Sequence, residues 1–159
     1  MAAESPLIKI EMGMDAQGYY QFEAINRVTG KPNGYLKFER RSNESGLSYY
    51  NLMAVAVSIP GQRIGTSLVR AFSESIHPSQ ITYDILHKPT IAQLKSRVIT
   101  DPTQLTFLEI NDPDLINELS LCRLFKYGGI GTDLLQVITY PKEIPPFNFL
   151  VSAYGQSVD

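Results

Sequence analysis

The run Val55-Ala56-Val57-Ser58-Ile59-Pro60-Gly61-Gln62-Arg63-Ile64-Gly65-Thr66 joins an apolar, β-branched segment to a glycine-containing turn and then to a helical pattern. Such a junction can cradle a phosphate, because the turn and the helix N-terminus both direct backbone N–H groups at one point. Gly61 and Gly65 lack a Cβ, which lets a ligand approach the backbone. Gln62 and Arg63 add side-chain donors. The helix beginning near Ile64 and Thr66 adds the positive end of its dipole, about 0.3–1 kcal/mol for a neighbouring anion. The turn has no Gly-Lys-Ser/Thr ending, which excludes a nucleoside-triphosphatase P-loop. The same residues also read as an ordinary strand-to-helix turn with a Pro-Gly corner.

A second segment with chemical potential is Leu105 to Asn111, followed by a helix that closes in Leu124-Phe125-Lys126-Tyr127-Gly128-Gly129-Ile130. Taken alone, its aromatic residues read as core. Glu23, Glu39, Tyr49, Asn51 and Glu109 are the candidate bases or water-positioning groups. The two histidines, His77 and His87, are further candidate acids or bases. His77 precedes a proline at a helix end and reads as a cap. The single cysteine, Cys122, falls on an apolar helical pattern and reads as core, so neither a disulfide nor a structural zinc is indicated. Asp112 and Asp114 belong to a helix start, and no metal site is indicated.

These residues need elements to position them. Short strands are expected at Leu7–Ile10, Tyr19–Val28, Tyr35–Arg41 and Leu47–Ile59, with turns at 13–18, 29–34 and 42–46; the last three make an antiparallel meander. Leu36, Phe38 and Arg40 share one face of their strand. From Ile64, apolar residues at Leu68, Val69, Phe72 and Ile76 mark a helix that His77-Pro78 ends. A short strand at Ile81–Leu86 and a helix capped by Thr90 and running to Val98 come next. Gln104–Ile110 alternates as a strand. Asp112-Pro113 starts a helix that is expected to run unbroken to Tyr127 and stop at Gly128-Gly129. Strands at Leu134–Tyr140 and Phe147–Tyr154 complete an α+β or mixed α/β domain.

The chain has 159 residues, 43% of them hydrophobic and 19% charged, which predicts one folded domain spanning 1–159. A net charge of -2 argues against broad electrostatic binding to nucleic acid, with a local basic patch open around Lys37, Arg40 and Arg41. No run approaches the roughly 20 apolar residues of a membrane span. Met1 to Ile10 lacks a basic region followed by an apolar one, so no signal peptide is expected. A cytoplasmic protein without membrane or nucleic-acid partners is the expectation.

The order of these segments resembles the GNAT family of acetyl-coenzyme A-dependent N-acetyltransferases. Ile64-Gly65-Thr66-Ser67-Leu68-Val69 is similar to the end of the family's motif A, a strand, a turn of the form Arg/Gln-x-x-Gly-x-Gly/Ala and a helix. Leu124 to Ile130 is similar to the close of motif B, Leu-Tyr-x-x-x-Gly-Phe. Arg63 stands at the middle glycine of the turn, Pro60 at its leading position and Phe125 at the motif-B tyrosine, often the acid for the leaving thiolate. Ring packing survives that last exchange; proton donation does not.

The resemblance implies a mostly antiparallel central sheet flanked by helices, with an insertion at about 79–103. It implies that acetyl-coenzyme A is the cosubstrate, its pyrophosphate on Pro60–Gly65 and its pantetheine arm on backbone groups near Ala56 and Val57, in an opening between two strands. The implied coenzyme-binding residues are Ala56, Val57, Gly61, Gln62, Arg63, Ile64, Gly65, Thr66 and Phe125. The implied reaction is direct acetyl transfer to a primary amine of a protein or small molecule, with Asn51, Glu109 and Tyr127 as candidate catalytic residues. Two other readings stand beside it: a GNAT-like domain that binds acyl-coenzyme A or a protein without turnover, and an unrelated interaction domain.

Overall fold

The computed structural model describes residues 7–58, 63–97, 106–139 and 149–158. These form eight strands and four helices in a mixed α+β arrangement, with a mostly antiparallel central sheet flanked by helices. Along the chain they are β1 (Ile8–Met14), β2 (Tyr20–Asn26), β3 (Pro32–Ser42), β4 (Ser48–Val57), α1 (Ile64–Ile76), β5 (Ile81–Asp84), α2 (Lys88–Arg97), β6 (Thr106–Ile110), α3 (Pro113–Glu118), α4 (Ser120–Tyr127), β7 (Ile130–Thr139) and β8 (Phe149–Ser157). The sheet order is β1-β2-β3-β4-β5-β8-β7-β6. No helix is long and apolar enough to cross a membrane.

β1 to β4 form a four-stranded antiparallel meander. Its inward row of Phe22, Leu36, Phe38 and Leu52 is buried beneath Leu68, Val69 and Phe72 of α1. Phe72 meets Phe38 edge-on with ring centroids 4.8 Å apart, an arrangement that favours the ring quadrupoles. The basic patch open at Lys37, Arg40 and Arg41 is internally partnered: Lys37 pairs with Asp15 at 2.8 Å, Arg41 pairs with Glu39, and Arg40 donates to Ser48 Oγ at 2.9 Å.

α1 then crosses over the sheet and delivers β5 alongside β4, the only parallel pair among the described strands. β6, from the second strand–helix unit, ends the sheet order among the described strands, and the strand that follows β4 in that order is the four-residue β5. Part of the segment 79–103 is therefore a central strand. The expected long helix over 113–127 is broken at Leu119, whose φ of -77° and ψ of 130° are extended. Asp112 does cap α3, accepting from Asp114 N–H at 3.0 Å.

Thr90 differs from its expected role too. It lies inside α2 and is fully buried, and its Oγ1 accepts the Leu121 N–H at 3.1 Å. Gln93 Oε1 accepts both the N–H and the hydroxyl of Ser120 at 3.0 Å. Two side chains of α2 thus satisfy orphan donors at the N-terminus of α4.

Candidate functional site

The sheet opens between β4 and β5. Their pairing runs Tyr50↔Ile81, Asn51↔Thr82, Leu52↔Tyr83 and stops there, while β4 continues to Val57. Two local causes drive the strands apart. On one side, Lys37 pairs with Ala54 and Phe38 with Leu52, so Met53 is an extra residue that bulges β4. On the other, Ile85 N–H donates to Val151 O at 2.8 Å, which draws the chain after β5 toward β8.

Past the split, one edge of β4 has no partner strand among the described residues. Ser58 N–H donates to Asn33 O at 2.9 Å, so Ser58 turns toward β3. By alternation, Val57 and Val55 direct their N–H and C=O groups into the opening. Ala56 turns the other way: its carbonyl lies 2.7 Å from where a Cβ on Gly34 would sit. Of the two residues expected to hold an extended arm, Val57 faces the opening and Ala56 faces β3.

A cavity of about 320 Å³ occupies the split, lined by Leu52, Met53, Ala54, Val55, Tyr83, Asp84, Leu86, His87, Leu121 and Phe125. Its walls are apolar, with β4 on one side and α4 on the other. Phe125 is buried and meets Tyr83 edge-on at 4.4 Å between centroids. The Tyr83 hydroxyl hydrogen-bonds Thr132 Oγ1 at 2.7 Å and contacts Cys122 Sγ at 3.8 Å. Burial pushes the Tyr83 phenol well above its ordinary pKa, and it pushes the Cys122 thiol up as well. Both groups are therefore protonated at neutral pH and unsuited to act as a base or a nucleophile.

Asp84 and His87 are the remaining polar lining. Asp84 Oδ1 accepts from Ser152 Oγ at 2.9 Å. His87 Nδ1 is 2.8 Å from Thr90 Oγ1, which leaves Nε2 as the ring atom without that contact. Thr90 Oγ1 so links His87 to the first turn of α4, and the ring orientation is tied to the helix that walls the cavity. His87 is one of the two histidines that the sequence offers as an acid or base, and it is the one that lines the cavity. Asp84 carried no signal at all.

α1 starts at the outer end of the same opening. Arg63 occupies its N-cap position at φ 56°, ψ 22°, a left-handed conformation, and supplies no side-chain cap. Ser67 N–H is the donor that reaches back to Arg63 O, at 3.0 Å. The N–H groups of Ile64, Gly65 and Thr66 precede it and lie outside the helical ladder. No acidic residue stands in this first turn.

Ile64 is buried, with its Cγ2 close against Gly34, and Thr66 is half-buried. Gly61 and Gln62 lie outside the described residues. Gly65 has a different role from the one expected. A Cβ there would point inward, 3.5 Å from Leu124 Cδ1 and 3.7 Å from Val57 Cγ2, so its missing side chain does not open the backbone to a ligand.

The three candidate catalytic residues do not come together. Asn51 lies on the sheet face away from α1, at the rung before the split, bonded to Glu39 and Thr82. Glu109 shares that face on β6, where it accepts from Gln136 Nε2 at 3.3 Å. Four strand spacings separate β4 from β6, about 19 Å. Tyr127 is 65% exposed at the end of α4, its carbonyl held by Arg70, and it does not line the cavity.

In comparison with known proteins, no family model matches the chain and no curated protein matches its sequence.

Proposed function

We propose that the chain binds acetyl-coenzyme A in the opening between β4 and β5 and transfers the acetyl group to a primary amine, as a divergent GNAT-like N-acetyltransferase. The observation that carries this reading is a parallel strand pair that parts in mid-sheet, with a helix N-terminus at the outer end of the parting strand. Val55 and Val57 offer an extended amide-containing arm the hydrogen bonds of an added strand. The N–H groups of Ile64, Gly65 and Thr66, which precede the helical ladder, suit a pyrophosphate. Arg63 supports the reading through its backbone, since it is left-handed at the position the family's turn fills with glycine.

Transfer forms one N–C bond, breaks one C–S bond and takes a proton from the amine. In this reading Asp84 attracts the cationic amine to the inner end of the cavity. His87, fixed through Nδ1, takes the proton at Nε2. Asn51 holds the strands at the apex, while Glu109 and Tyr127 take no part. The cosubstrate is available in the cytoplasm, which is the compartment assigned.

Calorimetry with acetyl-coenzyme A tests the binding, and saturable uptake is expected. Thiol release across a panel of amines then tests turnover, and His87→Ala should bind the coenzyme yet lose activity. A chain that takes up no acetyl-coenzyme A overturns the reading. One observation favours a second reading, an acyl-coenzyme A-binding domain without turnover: Phe125 places a buried phenyl ring where the family's acid stands. Binding without thiol release on any amine would select it.

A further inference from the structure

We infer that two copies of this chain join edge to edge through β1, continuing the sheet across a twofold axis at Ile10. β1 is the end strand of the sheet. Arg27 N–H donates to Leu7 O at 2.8 Å, so alternation turns Lys9, Glu11 and Gly13 toward β2. Ile10, Met12 and Met14 then present their N–H and C=O groups to the open edge, as does Ile8, whose C=O also accepts from Arg27 Nε at 3.4 Å.

The usual devices that blunt an edge are missing from this strand. Its seven residues include no proline and pair with β2 without a register shift. Its one lysine is neutralised by Glu11, 2.6 Å away. The apolar row of the strand begins in the core at Ile8 and runs out to Met12 and Met14, which are 56% and 59% exposed. A second β1 laid alongside would cover that row.

Charge selects the register. In a twofold antiparallel pair, outward-directed residues must face outward-directed residues, so the axis passes through a residue. An axis at Lys9 sets two lysines directly opposite, and one at Glu11 sets two glutamates opposite; like charges so placed are destabilising. An axis at Ile10 sets Lys9 against Glu11 of the second copy and Ile8 against its Met12. Axes farther out shorten the ladder. The resulting face carries four charges in alternation. Glu11 already has Glu23 directly across on β2, so it has reason to accept a second ammonium.

Light scattering over a concentration series tests this, with thermal unfolding run beside it to show that each variant folds. The wild type should approach twice the chain mass as concentration rises. Lys9→Glu and Glu11→Lys should each weaken self-association at least tenfold. Mixed in equal amounts, the two variants should associate again, because the mixture sets an all-cationic edge against an all-anionic one. A wild type that stays monomeric overturns the inference. Single variants that associate like the wild type, or a mixture that stays monomeric, do so too.

Discussion

Thr82 Oγ1 donates to Asn51 Oδ1 at 2.9 Å on the rung immediately before the last pair joining β4 to β5. Asn51 Nδ2 donates in turn to Glu39 Oε1 at 3.3 Å, so one side chain ties three strands together. One rung on, at Leu52↔Tyr83, the β4–β5 pairing ends. This makes Asn51 a fastener at the apex of the opening.

Asn51→Ala should destabilise the chain by about 1–2 kcal/mol, the worth of two partly buried hydrogen bonds, as read by chemical denaturation. Asn51→Asp is sharper. It sets a carboxylate against Glu39, so its deficit should shrink as the pH falls through the carboxylate range. A deficit independent of pH would mean that the amide-to-Glu39 contact contributes little.

Thr66→Glu separates folding from coenzyme binding. Thr66 is the third residue of α1, where an anionic side chain stabilises the helix end. The variant should melt no lower than the wild type, yet bind acetyl-coenzyme A at least tenfold more weakly through repulsion of the pyrophosphate. Unchanged affinity would remove the pyrophosphate from the start of α1.

Arg63→Gly should move stability and affinity in opposite directions. Relief of the left-handed backbone at Arg63, less the extra chain entropy of glycine, is worth about 0.5–1 kcal/mol of added stability. Loss of the guanidinium should weaken acetyl-coenzyme A binding at the same time. If thermal melting does not rise, the backbone at this cap is not strained.

Phe125→Tyr adds a hydroxyl at the wall of the cavity. In a working acyltransferase it should raise kcat with little change in KM, since a proton donor acts on the leaving thiolate and not on ground-state binding. A hydroxyl at this buried position without a partner costs about 1–3 kcal/mol, so a lowered melting temperature should accompany the gain. No change in kcat would separate this position from the leaving group.

Asp15 gives the chain a defined acid response. Its Oδ1 accepts from Gln17 and Tyr19 N–H at 2.9 and 3.0 Å, and Oδ2 pairs with Lys37 at 2.8 Å. The Lys37 ammonium and these N–H groups hold its carboxyl below the ordinary pKa, against the opposing effect of burial. The folded form therefore binds the proton less well than the unfolded chain. The contribution is fully present above the unfolded carboxylate pKa and is lost as the pH falls through the lowered one. Asp15→Asn keeps an acceptor for the turn but loses the charge pair. Its stability should lie below the wild type at neutral pH and converge with it in acid. Parallel curves would show that the pair is immaterial.

The helix at Ile64–Ile76 was legible in the sequence because its buried residues repeat at helical spacing and His77-Pro78 stops it, and Asp112-Pro113 marked α3 as plainly. The partner of β4 was not legible. β5 is four residues long, too short for alternation to identify its neighbours, and its pairing with β4 spans a helix. Thr90 shows a second limit. A threonine before an apolar helical pattern has the local signature of a cap, but its hydroxyl is used by α4, some thirty residues away. Alternation did place Asn51 and Glu109 on strands. Which strands lie between them is a property of the sheet order, and that order separates them.

The bulge at Met53 also keeps the parity of β4. Leu52 and Val55 are three residues apart, yet they face Phe38 and Leu36, two adjacent inward positions of β3. Regular alternation through Met53 would turn Val55 and Val57 to the outer face, and Val57 would no longer lie beneath Gly65 at the start of α1. The bulge takes up one residue of length and so returns the last third of the strand to the inner face. A chain without Met53 would keep those faces in an unbroken ladder, so what the extra residue adds is the bend at the split and not the facing of the strand.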